Sequence, residues 1–179
     1  MSATNLSDDQ RQALEAFDVA RDAFLAAFAQ APDEALAYVP AGDEYAVGTL
    51  LPHLRDTIDR YLGTLKLIRD AGFGPVDLAA DPARAQREAQ QHIGLVALRP
   101  TGADRARLLS ELAAAHERVH STVSALDEGD FGRQAPVIYS AGTEPFPTSC
   151  REIMGWITPH YDEHSEQVTA MLAGWRSAQ

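Results

Sequence analysis

The sequence predicts an all-α protein built as a four-helix bundle, and three observations carry that expectation. Apolar residues recur at helical spacing along most of the chain, without any useful length of strict two-residue alternation. Four long periodic segments are bounded by recognisable start and stop signals. The chain has 179 residues, enough to fill one core, so residues 1–179 are expected to form a single domain.

The first helix is expected from about Ser7, an N-cap in "SDDQ", to about Gln30, with Leu14, Phe17, Phe24 and Phe28 on one face and "APD" ending it. The second runs from about Tyr45 to Asp70, with Val47, Leu50, Leu54, Ile58, Tyr61, Leu65 and Ile68 inward, and stops at Ala71 and Gly72. A third fits Ala103 to about Leu126 on a stripe of Leu109, Leu112, Val119 and Val123. The fourth begins at "TSCRE", where Ser149 and Glu152 form a capping-box pair, and continues to about Trp175.

Between the second and third helices, residues 71–102 are too many for a structureless loop in a compact domain. "DPARAQREAQQHIG" is expected to form a short helix between Pro82 and Gly94, and a crossover of this length lets the second and third helices run parallel. "GDFGRQAPVIYSAGTEPFPT" joins the third and fourth helices, and Phe131, Val137, Ile138 and Tyr139 give it apolar weight to fold over one end of the bundle.

Composition narrows the function. Net charge is −11, from 26 acidic and 15 basic residues, with no basic stripe to neutralise phosphates, so nucleic acid and anionic membrane are not expected partners. The stretch "MSATNLSDDQRQ" shows no charged region followed by an apolar one, and no run of about 18 apolar residues occurs anywhere. A cytoplasmic location is expected. Cys150 is the only cysteine, so no intrachain disulfide or thiolate cluster can form. A metal ion here would be held by histidine and carboxylate.

The segment "WITPHYDEHSEQV" sets His160 and His164 four residues apart on the fourth helix. They are separated by roughly 40° on a helical wheel, amid Ile153, Ile157, Val168 and Met171. Burying an imidazole without partners costs on the order of 1 to 3 kcal/mol, so two on an apolar stripe need a reason. A shared ion is one; two core imidazoles that face the same way is the other. His53, on the second helix, lies at the edge of that helix's apolar arc, where it can point toward a neighbour, and Pro52 beside it can bend the helix.

"YAVGTLLPHLRDTIDRYL", the long third helix and "PHYDEHSEQV" together resemble the DinB-like (YfiT-like) superfamily of metal-dependent four-helix bundles, over most of the chain. That resemblance implies an up-down-down-up bundle with a divalent ion, nickel or zinc, held by His53, His160 and His164 and keeping open positions. Tyr45 stands where the family usually places tryptophan. The resemblance also implies a homodimer, and characterised members include transferases and isomerases that use low-molecular-weight thiols of the mycothiol or bacillithiol type.

A rival pattern is "HERVH", His116 to His120, which matches the H-E-x-x-H spacing of zinc metalloproteases with Glu117 as the base. No third ligand follows it and no strand is evident to hold an extended peptide. These histidines are expected to fill the core, or in the case of His120 to line a pocket. His92 on the short crossover helix reads as a surface residue. Gln167 and Glu163 are candidate partners for the ligand imidazoles, with solvated helix surface the alternative for Glu163. Cys150 falls in the first turn of the fourth helix, where the macrodipole can lower its pKa, but a lone cysteine without a partner reads as inert. Arg55, Asp56, Asp59 and Arg60 read as a solvated face.

Three protein ligands leave a coordination position open, the pattern of a working site. An ion there could activate water or a thiol, and the family resemblance implies the second, thiol transfer to a small electrophile, with "GRQAPVIYS" as candidate pocket walls. Metal-dependent hydrolysis of a small molecule, or metal and ligand binding without turnover, are the alternatives.

Overall fold

A computed structural model of the chain describes residues 6–179. Six helices and three short strands are present among them: α1 Asp8–Phe28, α2 Leu50–Asp70, β1 Val76–Asp77, α3 Pro82–Ala97, α4 Arg105–Ser124, α5 Glu128–Phe131, β2 Ala135–Ile138, β3 Phe146–Thr148 and α6 Cys150–Ser177. The predicted caps form. Ser7 and Gln10 close a capping box on α1, and Ser149 and Glu152 close one on α6. Asp81 caps α3, with Pro82 in the first turn, where its missing N–H is no loss.

Side-chain contacts fix the direction of each long helix. Along α1 and α6 they advance together, from Asp9 with Arg151 to Phe17 with Tyr161, so these helices are parallel. Arg55 with Glu111 and Asp59 with Arg118 show α2 and α4 to be parallel as well. Across α1 and α4 the order reverses, from Gln10 with Leu126 to Arg105 with Asp33 beyond the end of α1. Tyr61 with Trp156 and His53 with His160 make α2 antiparallel to α6. This is an all-α bundle in the up-down-down-up arrangement, and the crossover through α3 makes it possible.

The core runs from Leu14, Phe17 and Phe24 on α1 through Leu54 and Ile58 on α2 and Leu112 and Val119 on α4 to Ile157, Tyr161 and Val168 on α6. On α4, Leu108 is the buried residue of the first turns and Leu109 only partly so, a phase shift of one residue from the predicted stripe. Three further differences concern the connections. Residues 45 and 46 are not helical, and α2 starts at Leu50 after a 3-10 turn at Val47–Thr49. Pro52 consequently sits in the first turn, where no intrahelical acceptor awaits its N–H, and it has no cause to bend the helix. The crossover helix runs on past Gly94 to Ala97.

The third difference is the small sheet, in the order β1-β2-β3, with β1 parallel and β3 antiparallel to β2. Ala135 and Val137 turn inward onto Ile68 and Leu78 in a satellite core at the end of the bundle where α2 finishes. Strands of two to four residues are too short to show alternation, so the sequence displays only their apolar weight. Gly72 takes a left-handed φ of 59° at the end of α2, which glycine adopts without a Cβ penalty. No helix among the described residues is long and apolar enough to cross a membrane.

Candidate metal centre

Three imidazoles meet midway along the bundle. The Nε2 atom of His53 on α2 lies 3.0 Å from Nε2 of His160 on α6, which lies 3.2 Å from Nε2 of His164. One ligand atom from each residue falls within 4.8 Å of the other two, a spacing that can hold a metal ion. His164 is buried, His53 and His160 partly so, which puts the cluster at the wall of the core with one side open.

The outer nitrogens decide what the inner ones offer. Gln167 Nε2 donates to Asp43 Oδ1 at 2.6 Å, which turns its amide oxygen toward His164. That oxygen lies 2.6 Å from His164 Nδ1, so Nδ1 carries the proton and Nε2 keeps its lone pair. His160 Nδ1 faces Glu163 Oε2 at 3.5 Å, and the carboxylate favours the proton on that nitrogen and the lone pair on Nε2. Two lone pairs 3.2 Å apart repel each other unless a cation lies between them.

A proton is a poor candidate for that cation. Burial, reinforced by the other two imidazoles and Arg60, lowers the pKa of His53 to about 3. Burial also lowers those of His160 and His164, although Glu163 acts against it. The donor set is therefore three neutral nitrogens, which suits a divalent ion of borderline character such as zinc or nickel.

The "HERVH" histidines go elsewhere. His116 is buried with Nε2 2.6 Å from the Tyr161 hydroxyl, while His120 Nε2 lies 2.8 Å from Asp18 Oδ1. They serve the contact between α4 and its neighbours and share no ligand point. Cys150 is buried, and desolvation pushes its thiol up to about 12, overriding the helix dipole, which acts to lower it. It is no nucleophile at neutral pH.

A model of the DinB superfamily matches residues 16–168, a span that takes in His53, His160 and His164. The chain belongs to the DinB superfamily. Neither a curated protein nor a solved structure matches it.

In this DinB-superfamily chain, His53 also lines a cleft of about 670 Å³ between α2 and α3. Its lining includes Tyr45, His53, Arg60, Arg84 and His92. Tyr45 lies ring against ring with His53 at 4.8 Å, and its hydroxyl is 3.1 Å from His92 Nδ1. His92, read from the sequence as plain surface, is exposed yet forms part of this cleft. Asp56 and Arg55 are half-buried and pair with each other, so they are not the freely solvated pair expected.

Beyond the cleft, Tyr61 and Trp156 pack at 5.5 Å, and Tyr139 and Phe146 of the β2–β3 hairpin rest on Trp156. The hairpin thus reaches the helix turn before His160, but no residue of "GRQAPVIYS" lines the cleft. Asp43 and Arg60 are the site residues that sequence reasoning did not find. Asp43 comes from a turn outside any periodic segment, while Arg60 was legible only as seven residues, about two turns, beyond His53.

Proposed function

We propose that this DinB-superfamily protein binds one divalent ion, zinc or nickel, through Nε2 of His53, His160 and His164, and is a metal-dependent transferase. Its co-substrate is a low-molecular-weight thiol of the mycothiol or bacillithiol type, and its target a small electrophile. The observation that carries this reading is the convergence of one nitrogen from each of His53, His160 and His164, with the His164 ring held by Gln167 and, through it, Asp43. A divalent ion held there by three neutral ligands would supply Lewis acidity on its open side, enough to bring a thiol to thiolate near neutral pH.

The chain's own groups do the rest. Gln167 and Asp43 hold the His164 ring in place, and Tyr45 packs flat enough on His53 to restrict it, at an interplanar angle of 36°. Trp156, Tyr61 and Phe146 give the neighbouring wall an apolar, stacking character that suits a small organic partner. With Cys150 buried and protonated, no protein thiol competes for the role of nucleophile.

The test is consumption of thiol together with electrophile by metal-loaded protein, run with mycothiol, bacillithiol, glutathione and coenzyme A. A thiol-dependent rate abolished by chelation supports the transferase. Loss of one substrate with water alone would establish the hydrolase instead, and tight ligand binding with neither reaction would establish a binding protein. The acidic net charge supports a small-molecule partner and not a nucleic acid. Membership of the family supports a homodimer, for which light scattering should return twice the 19.4 kDa chain mass.

A further inference from the structure

The cleft beside the three histidines is rich in charge, and nearly all of that charge is matched. Of its lining carboxylates, Asp56 pairs with Arg55, Asp59 with Arg118, Asp81 with Arg87 and Glu88 with Arg84. The last two pairs also account for the lining arginines of α3. Arg60 is the lining arginine with no carboxylate partner among the described residues. Its guanidinium instead lies 5.3 Å from the centroid of the Tyr61 ring, which holds the planar group without using its donors.

Arg60 and His53 line the same cleft and stand seven residues apart on one helix, so their backbones are about 10 Å apart along the axis. A divalent ion held by three neutral imidazoles also keeps its full charge. The open cleft therefore offers positive charge at two points a small molecule's length apart. We infer that Arg60 is the anchor for a carboxylate, and that the molecule bound at the metal centre is a small carboxylic acid. Its carboxylate pairs with the guanidinium while its other end reaches the histidines.

A carboxylate is favoured over a phosphate monoester because it brings one negative charge to the one unpaired guanidinium, whereas a phosphate monoester brings close to two. This inference names the substrate class of the site proposed above and rests on that site holding a metal ion.

The experiment uses cobalt-loaded protein, whose sulfur-to-metal absorption reports thiol binding independently of turnover. Mercaptopropionate and mercaptohexanoate are titrated against mercaptoalcohols of matching length, into wild type, Arg60→Gln and Arg60→Lys. At one of the two lengths the acid should bind wild type about tenfold more tightly than the alcohol. Arg60→Gln should erase that preference and Arg60→Lys should keep part of it, with cobalt content unchanged in both. Equal binding of acid and alcohol at both lengths, or a preference that survives Arg60→Gln, would overturn the inference.

Calorimetry with adipate and its monoamide gives a second reading that needs no thiol. If no thiol produces the sulfur band but adipate binds more tightly than the monoamide, and only when Arg60 is present, the thiol reading fails and the anchor stands. If adipate shows no such advantage, the anchor is wrong.

Discussion

His116 Nε2 and the Tyr161 hydroxyl lie 2.6 Å apart, joining α4 to α6 where both residues are buried. Phe17 packs edge-on against each of them, at 5.8 Å and 5.6 Å, so the pair is enclosed by aromatic surface. The contact ties together two helices that otherwise meet mainly through Phe17 and its neighbours on α1.

That enclosure makes stability depend on pH. Burial lowers the His116 pKa from 6.5 to about 4, so between those values the unfolded chain binds a proton that the folded chain refuses. Stability is complete above about pH 6.5, falls as the pH drops, and levels off below about 4. The shift corresponds to about 3 kcal/mol at ~1.36 kcal/mol per unit. Urea unfolding of the metal-free protein at pH 7.5 and pH 4.5, compared with His116→Gln, should show most of that difference missing in the variant. Identical pH slopes would refute it, since the other histidines are common to both proteins.

Metal binding should divide the histidines cleanly. His53→Ala, His160→Ala and His164→Ala should each lose stoichiometric zinc after dialysis, because two imidazoles leave too few ligands. His116→Ala and His120→Ala should retain it, since their nitrogens face Tyr161 and Asp18. Elemental analysis of the five variants decides the assignment.

Gln167 acts one bond further out. Replacing it with alanine frees the His164 tautomer, and the expected loss of zinc affinity is about tenfold to a hundredfold. Asp43→Ala should weaken binding less, because it removes the group that orients the amide and leaves the amide itself. Competition against a chromophoric chelator measures both, and an unchanged affinity in Gln167→Ala would rule out the tautomer role.

Gln10 supports the fold at a distance from the site. Its buried amide donates to the carbonyls of Val123 and Leu126, both at 2.9 Å, which ties the start of α1 to the end of α4. Gln10→Ala leaves two carbonyls without that donor and also opens the capping box. A destabilisation of about 2 to 3 kcal/mol in urea unfolding is expected, with zinc affinity unaltered.

Much of this protein was legible before its fold was known. Helical periodicity gave four long helices, and the capping residues Ser7 and Ser149 marked two starts to the residue. The histidine pair on α6 stood out because imidazoles occupied apolar wheel positions. The start of α2 was misplaced because Tyr45 and Val47 fit a helical pattern, yet the backbone there is bent to bring Tyr45 over His53. The three strands were missed because their pairing is non-local and their runs are short.

The helices, their polar and apolar faces, and the residues with the chemistry to hold an ion can all be read along the chain. These are local properties, set by side-chain spacing within a few turns. Periodicity and spacing could not say which histidines meet; the family resemblance named the set, and helix packing brings it together. His53 and His160 are 107 residues apart in the chain, and His116 lies between them with an equally suitable ring. The antiparallel packing of α2 on α6 selects His53. The packing of α4 gives His116 to Tyr161 on α6 and His120 to Asp18 on α1. Charge pairing across the cleft, which leaves Arg60 alone, is likewise a sum over α2, α3 and α4 that no single helix carries.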